Sequence, residues 1–268
     1  MIRFGIVGCG HIAHRHAQHI TAHGEAELAR VFDIRPERTS AFADRHGTRA
    51  AGTLDELLAD PELDIVNVCT PNGSHCDVTL ECLSKGKHVL VEKPMAIRRL
   101  SCERMVDRAL KRNRQLFVVK QNRFNPPVAA LKDLIDDGAL GPVYLVVVNC
   151  FWNRNRRYYE ESDWKGTRDL DGGTLFTQFS HFVDVMYYLF GDVIDIQGST
   201  ANANHQGLIE FEDSGVFTFR FLEGAMGSLS YTTACFERNY EGSRVTGRCP
   251  LPASDTAPWP LITPAERA

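Results

Sequence analysis

Along the first 120 residues, short apolar runs alternate with longer segments whose apolar positions recur every three to four residues. The runs are "IRFGIVG", "ELARVFD", "DIVNVCT", "HVLVEKP" and "LFVVKQN", and the stretches between them are of helical length. Strand and helix in strict alternation predict an α/β domain, a doubly wound parallel sheet with helices on both faces. Thr53 with Glu56 reads as a capping box, and Ser74 with Asp77 resembles one. Ser101 to Arg114 reads as a basic amphipathic helix with a solvated outer face.

After "NPP" at 125–127 the texture changes. A helix to about Gly138, the strand "VYLVVVNCF" and a polar aromatic stretch from Trp152 to Asp171 come first, then a long helix from Gly172 to Phe190. "GLIEFED", "GVFTFRFLEG" and "MGSLSYTTACF" then alternate apolar and polar residues between glycine turns, the pattern of an antiparallel meander. The second half is therefore expected to be α+β on a mostly antiparallel sheet. From Arg244 onward the chain is proline-rich and aperiodic, which predicts an irregular tail. The expected division is 1–122, 123–243 and 244–268.

Composition narrows the partners more than the fold. The 268 residues carry a formal net charge of -4 with a pI near 6.2. That leaves no basic footprint for nucleic acid or an anionic membrane. The N-terminal residues enter a strand at once, without the regions of a secretory signal, so a cytoplasmic protein is expected. The eight cysteines show no C-x-x-C spacing and read as reduced and mostly buried rather than as a zinc site or disulfide framework.

The candidate chemistry begins at "GIVGCGHIAHRHA". Gly8-x-Gly10-x-x-Ala13 lies between a strand and a helix, where glycines permit a tight turn and close approach of a pyrophosphate to the helix N-terminus. Asp33 ends the next strand, placed to accept hydrogen bonds from ribose hydroxyls and to repel a 2′-phosphate, which favours NAD over NADP; Arg35 would soften that choice. A Rossmann-type dinucleotide site follows, taking in His11 and Ile12 of the loop. His16, His19 and His23 share one helical face, but no carboxylate or cysteine cluster accompanies them, and no metal is expected. In a doubly wound sheet ligands lie beyond the carboxyl ends of the strands, so Thr70, Asn72 and His75 of "TPNGSH" should face the cofactor groove. By the same rule Glu92 and Lys93 of "VLVEKP" lie on the functional edge. Lys93 reads either as a surface lysine or as a donor to a reacting oxygen. In "GGTLFTQFSHFVDVM", His181 reads either as a packed core histidine or as a general base, with Gln178 and Asp184 three residues to either side.

These motifs in this order, "GIVGCGHIAHRHA", "TPNGSH", "EKP" and "GGTLFTQFSHFVD", resemble the Gfo/Idh/MocA oxidoreductases over Met1 to about Ser243. The resemblance implies that Lys93 and His181 are catalytic and that Gln121 joins the cofactor contacts. The family's D-x-G-x-H-x-x-D pattern reads "TQFSHFVD" here, with Thr177 and Phe179 in place of Asp and Gly. That departure, with "QNRFNPP" and "FWNRNRRYYEESDWKGTRDLDGG", is most similar to the bacterial UDP-N-acetylglucosaminuronate 3-dehydrogenases of surface-polysaccharide synthesis. It implies hydride transfer from C3 of a sugar nucleotide to NAD. Substrate contacts then fall to Asn122, Arg123, Arg154, Tyr158, Lys165 and Gln178, with Arg156 and Arg157 as further cations. A homo-oligomer, dimer or tetramer, through the second sheet is also implied. Members usually run well past 300 residues, so a shortened C-terminus is expected. Two alternatives stand beside the dehydrogenase: an NAD-using glycosidase, and a non-catalytic NAD-binding protein.

Overall fold

The computed structural model describes residues 1–235 and the backbone of 240–247. Backbone contacts divide it into two units, Met1–Val119 with Asp169–Gly172, and Lys120–Arg168 with Gly173 onward.

The first unit runs β1 (Ile2–Val7), α1 (His11–Ala22), β2 (Ala26–Phe32), α2 (Pro36–His46), β3 (Arg49–Ala50), α3 (Leu54–Leu58), β4 (Ile65–Val68), α4 (His75–Ser84), β5 (His88–Val91), α5 (Arg99–Lys111) and β6 (Leu116–Val118). The sheet order is β3-β2-β1-β4-β5-β6 and every pairing is parallel. This is the doubly wound order, in which the order of the strands, not their direction, reverses between β1 and β4. The central strands are covered on both faces, so Ile6, Val7, Val66, Val68, Val89 and Val91 are all buried, and their apolar runs are continuous rather than alternating. The two-residue β3 is too short to leave a pattern in the sequence.

Helix starts differ in detail from the predicted boxes. The Thr53 hydroxyl accepts the Glu56 amide N–H at 3.0 Å, but the Glu56 carboxylate reaches back to the Gly52 N–H at 2.8 Å, one residue beyond the Thr53 N–H that a reciprocal box would use. Ser74 makes no side-chain cap on α4; its hydroxyl turns to Thr70 Oγ1 at 2.8 Å and to the Pro71 carbonyl at 2.7 Å.

The second unit holds α6 (Pro126–Asp136), β7 (Val143–Phe151), α7 (Arg156–Glu160), α8 (Thr174–Thr177), α9 (Ser180–Phe190), β8 (Val193–Ala201), β9 (Ser214–Phe221), β10 (Met226–Thr232) and β11 (Tyr240–Gly247). Its sheet order is β11-β7-β10-β9-β8, antiparallel except for the parallel β10–β7 pair, so the sheet is mixed and not a pure meander. One face buries Val146, Val148, Cys150, Phe219, Phe221, Leu229 and Tyr231 with Phe179 and Met186.

Three predictions for this half are corrected. The long helix breaks into α8 and α9 because Phe179 drops wholly into the core, against Trp152 and Tyr231 at ring distances of 5.0 and 5.1 Å. "GLIEFED" is a loop: the Asn202 amide donates to the Ile209 and Phe211 carbonyls, and the buried Asp213 accepts the Ala203 and Asn204 N–H groups. The edge strand is instead β8, whose nine residues are all exposed and whose Asp195 and Gly198 mask its β pattern. At the C-terminal end, β11 continues to Gly247, past the predicted end of the domain at Ser243, and pairs with β7. The tail beyond Gly247 lies outside the described residues.

The segment Asp169–Gly172 belongs to the first unit rather than the second because it docks on the turn after β4. Gly73 N–H donates to the Leu170 carbonyl at 2.9 Å, and the Asn72 amide donates to the Asp171 carbonyl at 2.9 Å. A Cβ on Gly73 would stand 2.1 Å from the Asp169 carbonyl oxygen. Gly73→Ala is therefore expected to destabilise the protein by roughly 1–3 kcal/mol through this backbone clash. A thermal melt unchanged from wild type would refute the close approach.

Candidate active site

In the first unit the site is built from four strand ends. Gly8 leaves β1 at φ +93, a left-handed conformation, and a Cβ there would lie 2.7 Å from the Cys69 carbonyl oxygen, so only glycine fits on both counts. Gly10 caps α1 without a side chain, the first turn holds no acid, and a Cβ on Gly10 would meet nothing within 4 Å. The N–H groups of a 12-residue helix thus open onto free space with His11 exposed and Ile12 half-buried beside them, an arrangement suited to an anion. Asp33 follows β2: its Oδ2 accepts the Cys9 N–H at 2.8 Å and its Oδ1 the Arg35 N–H at 2.9 Å. Each oxygen keeps a further lone pair for a ribose hydroxyl. Open helix end, bare glycine and acid together fit a dinucleotide such as NAD. Burial, helped by the neighbouring Asp33, pushes the Cys9 thiol up to about 12, so the cysteine between the glycines is a packing residue and no nucleophile.

Beyond β4, Thr70 Oγ1 accepts from Ser74, while Asn72 is buried and tied to Asp171. His75 departs from its prediction. It is 0% exposed, and its ring nitrogens face the Pro94 carbonyl at 2.7 Å and the Thr70 carbonyl at 2.9 Å, so it supports the loops rather than lining a groove. Burial lowers its pKa against the pull of those two carbonyls.

Beyond β5, Glu92 is likewise turned inward, 8% exposed, with both carboxylate oxygens engaged within the protein. Its Oε1 lies 2.9 Å from His16 Nε2 and its Oε2 accepts the Lys93 N–H at 3.0 Å. Burial alone would raise the Glu92 carboxyl; the His16 bond, the Lys93 N–H and the Lys93 charge outweigh it and hold the group below the usual carboxylate range. Lys93 itself is half-buried and precedes a cis Pro94.

The remaining helix-α1 histidines go separate ways: His14 bonds His46 at 2.7 Å, and His19 and His23 are exposed. Among the described residues, no group of three His, Cys, Asp or Glu side chains is arranged to hold a metal ion. None of the seven described cysteines is in a disulfide, and five of them are buried. No helix among the described residues is long and apolar enough to cross a membrane.

In the second unit, His181 near the start of α9 is 7% exposed, with its Nε2 3.5 Å from Gln121 Nε2. Gln121 and Asn122 sit on one short helical turn with Arg123. Asp184 is taken by Arg123 in a two-pronged pair, 2.7 Å on each side, and the Arg123 guanidinium lies over the Tyr188 ring. Arg123 thus ties its turn to α9. Gln178, on the turn before His181, receives the Arg154 Nε–H at 3.0 Å and donates to the Tyr158 hydroxyl at 2.8 Å. Arg154 lies against the Trp152 and Tyr158 rings, and the Lys165 ammonium stands 3.9 Å from the centre of the Tyr158 ring. Arg156 and Arg157, by contrast, pair with Glu160 and Glu161 on an exposed helix face, where such pairs contribute little.

Two groups had no recognisable signal in the sequence. His205 and Asp213 form a buried pair, 3.0 Å between Nδ1 and Oδ2, and His205 Nε2 donates to the Arg154 carbonyl at 2.7 Å. Burial would raise the Asp213 carboxyl, but the Ala203 and Asn204 N–H groups, the Ser214 hydroxyl and His205 bring it below the usual range. Beside them a cavity of about 400 Å³ is bordered by Asn153, Arg154, Asn204 and Gln206. His16 is the other: its place in the helix is visible, its partner 76 residues away is not.

Residues 2–120 match the model of the oxidoreductase family with an NAD-binding Rossmann fold, and residues 128–248 match the GFO/IDH/MocA C-terminal domain. The WlbA dehydrogenase from Bordetella pertussis, solved in complex with NADH and UDP-GlcNAcA, superposes with a TM-score of 0.88 at 38% identity, over 92% of this chain and 71% of that one. The WlbA dehydrogenase from Chromobacterium violaceum, solved with the same two ligands, gives 0.87 at 40% identity, over 92% and 72%. An uncharacterized oxidoreductase of Streptococcus pneumoniae serotype 4 is 33% identical over 214 residues, 77% of this chain but 55% of that protein, so the chain spans about half the length of this curated relative. With its two halves matched in order by the family's two domain models, and with a glycine loop, an acid after β2 and an EKP turn on one sheet edge, the chain belongs to the Gfo/Idh/MocA oxidoreductases.

Proposed function

We propose that this chain is an NAD-dependent dehydrogenase that oxidises the C3 hydroxyl of a sugar nucleotide such as UDP-N-acetylglucosaminuronate to a 3-keto sugar. The observation that carries the reading is the 38% and 40% identity, across 92% of the chain, to two dehydrogenases solved with NADH and UDP-GlcNAcA. Bound NAD supplies the hydride acceptor at C3. In this reading His181 takes the hydroxyl proton as general base, and Lys93 hydrogen-bonds the same oxygen and stabilises negative charge as it develops. Gln121, 3.5 Å from His181, and the neighbouring Asn122 contribute polar contacts on the second unit. Arg154 and Lys165, gathered around Tyr158, offer cationic charge for the sugar carboxylate or the diphosphate. The sheet face opposite the core carries the exposed Leu145, Val216 and Met226, and association of copies through it into a dimer or tetramer is part of the same proposal.

Three outcomes are expected. Mixing the purified protein with NAD and UDP-N-acetylglucosaminuronate produces NADH absorbance; no NADH with this sugar nucleotide would remove the substrate reading. His181→Asn lowers turnover by about 10²–10⁴ with NAD affinity unchanged, and a variant retaining most of its activity would remove the general base. Asp33→Asn weakens NAD binding by roughly tenfold or more and narrows the preference over NADP, because a charged acceptor for the ribose is lost; fluorescence titration with both dinucleotides measures it.

A further inference from the structure

A row of buried polar groups runs beneath the EKP turn. Asn67 lies in the middle of β4 at 1% exposure, where a strand between two covered faces ordinarily carries an apolar residue. Its Nδ2 stands 3.0 Å from His16 Nδ1, and its Oδ1 is buried with no hydrogen-bond partner among the described residues. A strand-centre amide with one unsatisfied end has little to offer stability. What it does supply is the tautomer of His16: an amide N–H pointed at Nδ1 makes that nitrogen an acceptor and leaves the ring proton on Nε2. Nε2 then donates to Glu92 Oε1 at 2.9 Å, and Glu92 Oε2 accepts the backbone N–H of Lys93 at 3.0 Å. Each link has one direction: Asn67 donates to His16, His16 donates to Glu92 Oε1, and the Lys93 N–H donates to Glu92 Oε2.

We propose that His16 is a positioning residue for Lys93: its Nε2–H holds Glu92 in place, and Glu92 fixes the Lys93 backbone and keeps a carboxylate charge beside the Lys93 amine. The proposal rests on the reading of Lys93 as the group that meets the reacting oxygen. Without the imidazole N–H, burial favours the protonated Glu92 carboxyl, and the turn loses both its anchor and its charge. Glutamine at position 16 presents an amide N–H near the place of Nε2 and restores the link; leucine fills the space without it.

The test uses His16→Leu, His16→Gln, Glu92→Gln and the double variant H16L/E92Q, each checked by thermal melt and NAD titration. His16→Leu is expected to lower kcat by about tenfold or more, with KM and NAD affinity within about twofold of wild type, the split that marks an interaction used in the transition state. His16→Gln returns kcat to within about threefold, and the double variant is no worse than the poorer single, since both changes break one chain of contacts. A second readout needs no turnover: the acetylation rate of Lys93, by peptide mass analysis against the exposed Lys111, rises about threefold or more in His16→Leu and falls back in His16→Gln, because loss of a neighbouring carboxylate favours the free amine. Unchanged acetylation with kcat within about twofold, a glutamine variant no better than leucine, or multiplicative losses in the double variant would each overturn the proposal. If wild type forms no NADH, the substrate reading fails by itself and the acetylation comparison alone decides the role of His16.

Discussion

The first unit depends on one constraint: all six strands of its sheet run the same way. Parallel strands must each be followed by a crossover, so every carboxyl end delivers its loop to the same edge. That is how Gly8, Asp33, Thr70 and Lys93, spread over 86 positions of sequence, come from consecutive strand ends of one sheet. The edge is then cross-tied by polar groups. The Cys9 N–H meets Asp33, Asn72 meets Asp171, His75 meets Pro94 and His16 meets Glu92. Each tie joins two segments that the sheet alone would leave independent.

The second unit solves a different problem with a mixed sheet covered on one face. Its core is aromatic, centred on Phe179, Phe219, Phe221 and Tyr231, and the sinking of Phe179 is what separates α8 from α9. The break leaves Gln178 bonded to Arg154 and Tyr158 on one side and sets His181 at the start of a helix that Arg123 and Asp184 anchor. His205 and Asp213 hold the carbonyl of Arg154 from below. The guanidinium is thereby fixed from its backbone, by aromatic faces and by Gln178, which reduces the side-chain entropy an arginine loses on meeting an anion.

Glu92 and Asp213 follow the same physical rule in the two units. A buried carboxylate is costly unless its oxygens find donors. Each here meets one histidine and at least one backbone N–H, Lys93 for Glu92 and Ala203 and Asn204 for Asp213, and each is held below its ordinary range. A charge kept in the interior by fixed donors is an oriented charge; Glu92 lies one residue from Lys93, and Asp213 is linked through His205 to the Arg154 carbonyl.

The sequence by itself determined the parallel sheet, the glycine turn with Asp33 and the strand positions of β1, β2, β4, β5 and β7, because those rest on local patterns: period, continuous apolar runs and glycines between a strand and a helix. It also pointed to the residues that the family resemblance requires, since short motifs survive without knowledge of contacts. The tertiary structure alone decided what each polar side chain does. Glu92 and His75 stand in cofactor motifs yet face inward, Asp184 three residues from His181 goes to Arg123, and Arg154 is singled out from Arg156 and Arg157 by two rings and Gln178. β8 and the loop at 207–213 exchanged roles for the same reason: a polar edge strand and an apolar loop look alike until Asn202 and Asp213 show where the backbone hydrogen bonds go. Hydrophobic periodicity is a property of neighbours in sequence, whereas a hydrogen-bond partner 76 or 61 residues away is chosen by the fold.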